Sequence, residues 1–223
     1  MTTTTPRGEP STSAASSPRS PTGCPTAGPA TPDVPAELRR ALLEVARSAI
    51  QVAVGLASSR SLASRIREAG ASDLRAAVFV TLTDAGDLRG CMGTLDPARP
   101  VAEAVASAAM TAALDDPRFY PVEAGEIPDL EVDVSILGVA VDLAAPIDFV
   151  PGVDGIIVER ESRLGLLLPE VATGHGWDGE RMLAAVCQKA GLPADAWREA
   201  GTRCVVFRTV RFGGPVVEVA AAR

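Results

Sequence analysis

The segment best suited to chemistry in this 223-residue chain is residues 88–95, which read LRGCMGTL. If the segment is an extended strand, its side chains alternate between two faces, so Arg89, Cys91 and Gly93 share one face. A guanidinium beside a thiol favours the thiolate, which is the nucleophilic form of cysteine. The glycines Gly90 and Gly93 would leave room for a ligand and expose N–H donors. A small buried cysteine with glycines required by packing is the commoner alternative.

Two further segments carry groups that could bind or activate a ligand. Arg118 could bind a carboxylate or phosphate through its planar guanidinium, or form a structural salt bridge with Asp115 or Asp116. Glu170 lies in a segment that we interpret as a rigid loop, and it could act as a general base if partly buried, although a solvated carboxylate is commoner. The single histidine, His175, lies between two glycines and has no evident orienting partner.

The composition excludes several kinds of site and partner. One histidine cannot supply a two-histidine metal site, and the four cysteines form no Cys-x-x-Cys pair, so the sequence predicts no metal site and no cofactor. The formal net charge of −7 argues against nucleic-acid binding and against binding to an anionic membrane surface, although the arginines could still form a local basic patch. Scattered cysteines indicate reduced thiols, so we expect a cytoplasmic protein. No apolar run is long enough to predict a transmembrane helix.

The elements that must position these residues alternate between helices and strands. Helices are predicted to begin near residue 33 and to cover residues 61–68, 101–114 and 179–190. Strands are predicted as a hairpin over 76–95, and over 130–137, 155–159, 163–168, 203–212 and 215–220. This mixture favours an α+β fold with a mostly antiparallel sheet flanked by helices. Residues 1–32 are rich in Pro, Ser and Thr and are predicted to be a disordered tail, which leaves 33–223 as the folded domain.

In this order, the segments resemble the AMMECR domain family, which is called AmmeMemoRadiSam system protein A in prokaryotes. The matching segments are residues 78–82, 88–95, 116–119, 132–137, 155–156, 168–172, 176–178 and 189–192. Together they span about residues 38–212, and the Arg-Gly-Cys-x-Gly-Thr piece is the family's signature. The resemblance implies a two-part α+β domain with an antiparallel sheet, flanking helices, and a cleft lined by the signature.

The resemblance also directs attention to particular residues. The signature positions carried over from the family are Arg89, Gly90, Cys91, Gly93 and Thr94. The candidate site therefore has Cys91 and Arg89 as catalytic groups, and Gly90, Gly93, Thr94, Arg118 and Glu170 as binding groups. His175 lies outside the family pattern, which argues against a dyad of Cys91 and His175.

Two functions fit this set of residues. The first is an enzyme component that acts on a small molecule through Cys91, with glycine N–H groups stabilising developing charge. The second is a non-catalytic binding or scaffold protein that presents the signature to a Memo-like or radical-SAM partner, as the family's prokaryotic name implies. The chain has no three-cysteine cluster motif, so it is not itself expected to be the radical enzyme.

Overall fold

The computed structural model describes residues 29–217, which are arranged around two antiparallel sheets. The helices are α1 (Ala36–Ala53), α2 (Ser59–Ala69), α3 (Val101–Leu114), α4 (Pro169–His175) and α5 (Gly179–Lys189), with a 3-10 turn at Ala196–Arg198. The strands are β1 (Val78–Asp84), β2 (Asp87–Thr94), β3 (Leu130–Leu137), β4 (Val141–Asp142), β5 (Gly155–Arg160), β6 (Arg163–Leu167), β7 (Arg203–Phe207) and β8 (Thr209–Pro215). This architecture confirms the α+β class predicted from the sequence.

The first subdomain consists of the sheet β2-β1-β3-β8 and helices α1 to α3. Strand β1 turns Val78, Val80 and Leu82 toward the helices, and all three side chains are fully buried. Their neighbours Phe79 and Thr81 lie on the opposite face, because successive side chains of a strand alternate. We call this opposite face of the first sheet the cleft face.

The second subdomain consists of the sheet β4-β7-β5-β6 and helices α4 and α5. Helix α5 packs on β6 and β5 through a buried stripe that includes Met182, Leu183 and Val186. Asp178 begins this helix by accepting a hydrogen bond from the N–H of Arg181 at 2.8 Å, as the sequence predicted.

A small apolar cluster joins the two subdomains. Its buried members are Ala77, Leu137, Leu166, Leu168 and Phe207, with Phe79, Leu95 and Ile157 packed against them. The chain passes between the sheets beside this cluster, where the N–H of Gly138 donates to the carbonyl of Arg208 at 2.8 Å. Because Phe79 belongs to the cluster, the cleft face meets the second subdomain.

Two predicted strands differ from those observed. The strand predicted over residues 203–212 is interrupted at Arg208, so β7 belongs to the second sheet and β8 to the first. The strand predicted over 215–220 is wrong at residues 216–217, which form a bend, and its remainder lies outside the described residues.

Two helix predictions also needed correction. The segment around Glu170 was predicted to be a rigid loop, but it forms helix α4 instead. Pro169 suits the first helical turn, and the acidic Glu170 in that turn interacts favourably with the positive end of the helix. Helix α1 begins at Ala36 after Pro35, so Asp33 does not cap it as predicted. Residues 1–28 of the predicted tail lie outside the described residues, and Pro29, which follows them, is buried.

Candidate functional site

Cys91 lies on the cleft face of β2, an edge strand of the first sheet. It pairs directly with Thr81, whose hydroxyl lies 3.4 Å from the Cys91 sulphur and donates to it. Phe79, two residues before Thr81, has the same orientation and reaches the apolar cluster at the junction. The half-buried thiol therefore faces the second subdomain, and Gly93 shares its face as predicted. The prediction that Arg89 shares this face does not hold, because the strand bulges at Arg89.

The outer edge of β2 is closed at Cys91 by two side chains from the loop after α3. The N–H of Cys91 donates to Oδ2 of Asp116 at 2.8 Å, and Nη2 of Arg118 donates to the carbonyl of Cys91 at 3.4 Å. In an antiparallel strand the N–H and C=O of one residue point to the same side. Asp116 and Arg118 thus take the place that a neighbouring strand would occupy.

Asp116 is a buried carboxylate that Arg118 holds in its ionised form. The side chain of Arg118 donates from Nε to Oδ1 at 2.9 Å and from Nη2 to Oδ2 at 2.6 Å. The hydrogen bond from Arg118 holds the pKa of Asp116 well below its usual range, and it outweighs the opposing effect of burial. The Cys91 N–H lowers the pKa further. The structural salt bridge considered from the sequence is therefore present, with Asp116.

Arg118 nevertheless keeps one donor group open. Its guanidinium is 5.4 Å from the centroid of the Phe119 ring, and its side chain is half exposed. Within residues 29–217, Nη1 has no hydrogen-bond partner, whereas Nε and Nη2 are engaged. Hydrogen bonding to Asp116 raises the pKa of Arg118, with burial opposing it and the charge of Cys91 adding to it. Of the two candidate arginines, Arg118 is thus the one whose guanidinium reaches Cys91, through the backbone carbonyl.

Arg89 is directed toward a different partner. It donates from Nε and Nη2 to the two carboxylate oxygens of Glu126, at 2.7 and 3.0 Å, and from Nη1 to the carbonyl of Tyr120 at 2.9 Å. The hydrogen bonds from Arg89 lower the pKa of Glu126, with burial opposing them. Arg89 therefore anchors the loop of residues 120–126 to β2.

The two signature glycines are sites of close packing. A Cβ at Gly90 would lie 2.3 Å from the backbone oxygen of Ala112 in α3. A Cβ at Gly93 would lie 2.5 Å from the ring of Phe79, its partner on β1. The packing alternative considered from the sequence thus accounts for both glycines. N–H groups two residues apart in an antiparallel strand point to the same side, so the N–H of Gly93 points to the outer edge of β2, as that of Cys91 does.

The other predicted site residues lie further from the thiol. The Thr94 hydroxyl accepts a hydrogen bond from the N–H of Asp96 at 3.1 Å, which shapes the turn after β2. Glu170 lies 3.9 Å from Arg211, which also contacts Asp133 at 2.6 Å. Because Arg211 is on β8, this contact places Glu170 toward the opposite edge of the first sheet from Cys91.

His175 ends helix α4, where its ring stacks on Trp177 with centroids 4.6 Å apart. Gly176 follows with a φ of 63°, a left-handed conformation that closes the helix. His175 is thus the last residue of a helix, and the family pattern does not include it.

Comparison with known proteins decides the family. The model of the AMMECR1 family matches residues 43–212. The chain belongs to the AMMECR1 family. A protein from Methanothermobacter thermautotrophicus is 41% identical over 179 residues, covering 78% of this chain and 92% of the relative. The crystal structure of uncharacterized protein PH0010 from Pyrococcus horikoshii has a TM-score of 0.70 and 34% identity, covering 79% of this chain and 91% of that one.

Sequence reasoning missed one charged group of this AMMECR1-family site. Lys189, the last residue of α5, interacts electrostatically with both Cys91 and Arg118. Although much of the side chain is exposed, burial lowers the pKa of Lys189, Cys91 raises it and Arg118 lowers it. The signal in the sequence was that Lys189 is the chain's single lysine and lies in a segment matching the family.

The described part of this AMMECR1-family chain forms cavities elsewhere as well. One of about 480 Å³ is lined by Leu143, Phe149 and Arg208 among others, and two smaller ones adjoin α1 and α2. Cys91 lines none of these three. Over residues 29–217 there is no group of three or more His, Cys, Asp or Glu side chains able to hold a metal ion. No helix in that range has the length and apolar character to cross a bilayer.

Proposed function

We propose that this AMMECR1-family protein is an enzyme component that acts on a small molecule through the Cys91 thiol. The observation that carries the proposal is a cysteine with a half-buried side chain whose backbone carbonyl accepts a hydrogen bond from the Arg118 guanidinium at 3.4 Å, on the face that meets the second subdomain. A guanidinium stabilises the thiolate and leaves sulphur available as a nucleophile. The hydroxyl of Thr81 supplies a further donor to the sulphur.

The chemical step that this arrangement supports is nucleophilic addition. The Cys91 sulphur gives an electron pair to an electrophilic carbonyl carbon of the substrate, the π pair of that carbonyl moves to its oxygen, and the thiol proton passes to water. The developing negative charge on oxygen needs a donor, and the Gly93 N–H at the strand edge has the right chemistry. In this proposal Arg118 takes the role beside the thiol that the sequence suggested for Arg89.

Alkylation of the folded protein by iodoacetamide tests the reactivity of Cys91. We expect Cys91 to react near pH 7 roughly fivefold faster than N-acetylcysteine, because the adjacent guanidinium favours the thiolate. Two other thiols serve as internal references, since Cys187 and Cys204 are buried and burial raises the pKa of Cys204 to about 11. Mass spectrometry of the labelled peptides measures each rate. Labelling of Cys91 only after denaturation would contradict the proposal.

A matched pair of variants identifies the activating guanidinium. Arg118→Gln should slow the labelling of Cys91 several-fold, whereas Arg89→Gln, which removes the same charge from the Glu126 pair, should leave the rate within about twofold. If Arg89→Gln slowed the labelling of Cys91 more than Arg118→Gln did, Arg89 would be the activating residue, as the sequence predicted.

A second candidate function, the scaffold, draws support from Tyr120. Its side chain is 91% exposed, and its carbonyl is fixed by Arg89 of the signature. An exposed aromatic ring at a fixed position suits binding to another protein, here a Memo-like or radical-SAM partner. Affinity purification of the full chain from its native host should then recover such a partner with the wild type and with Cys91→Ser, but not with Tyr120→Ser. Recovery of the chain alone contradicts this candidate.

A further inference from the structure

Residues 29–34, which precede helix α1, lie across the junction between the two subdomains. Val34, at one end, is 1% exposed and belongs to the core of the first subdomain, and Nε of Arg39 donates to its carbonyl at 2.7 Å. Pro29, at the other end, is buried and lines the cavity of about 480 Å³ in the second subdomain, which Phe149 also lines. One short segment is therefore held by both subdomains.

The middle of this segment lies against the place where the chain passes between the two sheets. In the described part of the chain, the crossings are residues 138–140, between β3 and β4, and Arg208, between β7 and β8. They lie side by side, since the N–H of Gly138 donates to the carbonyl of Arg208 at 2.8 Å. A Cβ at Gly138 would lie 2.5 Å from the oxygen of Ala30 and 3.1 Å from Cδ of Pro32. The absence of a side chain at Gly138 thus allows the segment to approach the crossing this closely.

The segment and the apolar cluster hold the crossings from opposite sides. Leu137 is a buried member of the cluster, whereas the Cβ position of the next residue, Gly138, points at Ala30. Successive residues of an extended chain face opposite sides, which accounts for this difference. Because the cluster contacts Phe79 on the cleft face, the segment lies on the side of the junction away from Cys91.

We infer that residues 29–34 form a strap that sets how far the cleft beside Cys91 can open. Two short crossings between packed units form a hinge, because a few backbone dihedral angles can absorb a rotation. A rotation that widens the cleft brings the subdomains together on the opposite side, where the strap already fills the space next to Gly138. The strap is independent of the proposed function, but its effect on the chemistry of Cys91 rests on that function.

Hydrogen exchange of the full chain, followed by mass spectrometry, tests the strap. Pro29→Asp would place a carboxylate in a cavity that three aspartates already line, so this end of the strap should leave the second subdomain. We expect the amide of Gly138 to exchange roughly tenfold faster, while amides in the middle of β1 and β3 keep their wild-type rates. Thr31→Asp is the matched control, because it adds the same charge at an exposed position of the strap and should leave exchange at Gly138 within about twofold.

Pro29→Ala removes the ring without adding a charge, and it serves as the test if Pro29→Asp does not fold. It should raise exchange at Gly138 about threefold. Unchanged exchange at Gly138 in the folded Pro29 variants would overturn the strap. An equal rise throughout β1 and β3 would also overturn it, since the variant would then destabilise the whole subdomain.

Labelling of Cys91 tests the effect of the strap on the cleft. Pro29→Asp should raise the rate of labelling by a bulky fluorescein maleimide about threefold relative to that by iodoacetamide, because the larger reagent needs a wider cleft. Thr31→Asp should keep the wild-type ratio. An unchanged ratio together with faster exchange at Gly138 would overturn the control of the cleft. Failure of iodoacetamide to label the folded protein would instead count against the proposed function, and faster exchange at Gly138 would still support the strap.

Discussion

Gly90→Ala is expected to lower the free energy of unfolding by about 3 kcal/mol. The added methyl group would lie 2.3 Å from the backbone oxygen of Ala112, and neither α3 nor the edge strand can move without disturbing the helix-to-sheet packing. Urea denaturation followed by circular dichroism measures the change.

Gly125→Ala is the control for this effect, because a Cβ at that position has nothing within 4 Å. Its free energy of unfolding should stay within about 0.5 kcal/mol of the wild type. If Gly90→Ala unfolded at the wild-type urea concentration, α3 would not be packed against Gly90, and the sequence-based hypothesis of open space for a ligand there would regain support.

Asp116→Asn should lower the free energy of unfolding by about 3 kcal/mol. Oδ1 of Asp116 accepts from the N–H and Nε of Arg118, and Oδ2 accepts from the N–H of Cys91 and Nη2 of Arg118. An asparagine has one acceptor oxygen, so its amide NH₂ would face two of these donors. Asp115→Asn changes an exposed neighbour in the same way and should leave stability nearly unchanged.

The pH dependence of this difference follows from the depressed pKa of Asp116. The carboxyl of Asp116 ionises more easily in the folded state than in the unfolded state. Its contribution to the free energy of unfolding is therefore fully present above its ordinary pKa of 3.8, and it is lost as the pH falls through the lower pKa of the folded state. The stability gap between wild type and Asp116→Asn should therefore stay constant from about pH 7 to about pH 5 and shrink only below about pH 4. If the difference in stability between wild type and Asp116→Asn already disappeared near pH 6, the ionisation of a group other than Asp116 would be responsible for it.

Local patterns predicted the face of Cys91 correctly, but not its neighbours. Alternation along a strand depends only on the strand itself, so it placed Cys91 and Gly93 together correctly. It failed at Arg89, because a bulge leaves Arg89 without a partner on β1 and breaks the alternation there. The partner of the Cys91 N–H is Asp116, 25 residues further along the chain. No spacing rule connects a loop side chain to one position of an edge strand, and the sequence analysis therefore assigned the role beside the thiol to Arg89 and only a ligand-binding role to Arg118.

The errors in the fold have the same origin. The helix at residues 101–114 was predicted with its observed bounds, because proline precedes it and the alanine-rich sequence ends at Asp115. The strand predicted over 203–212 contains no glycine or proline that would mark a break. The interruption occurs at Arg208, whose carbonyl accepts from the N–H of Gly138 and whose side chain donates to Asp154. Lys189 was overlooked for a related reason, since the effect of Cys91 on its pKa depends on how two subdomains meet.

The position of β8 constrains how the protein can be made. This strand pairs with β3 and completes the first sheet, although β4 to β7, which lie between them in the chain, belong to the second sheet. A ribosome therefore releases the entire second subdomain before the last strand of the first one emerges. Until then the edge of β3 is unpaired in the nascent chain, and it is there that we expect a chaperone to bind during synthesis.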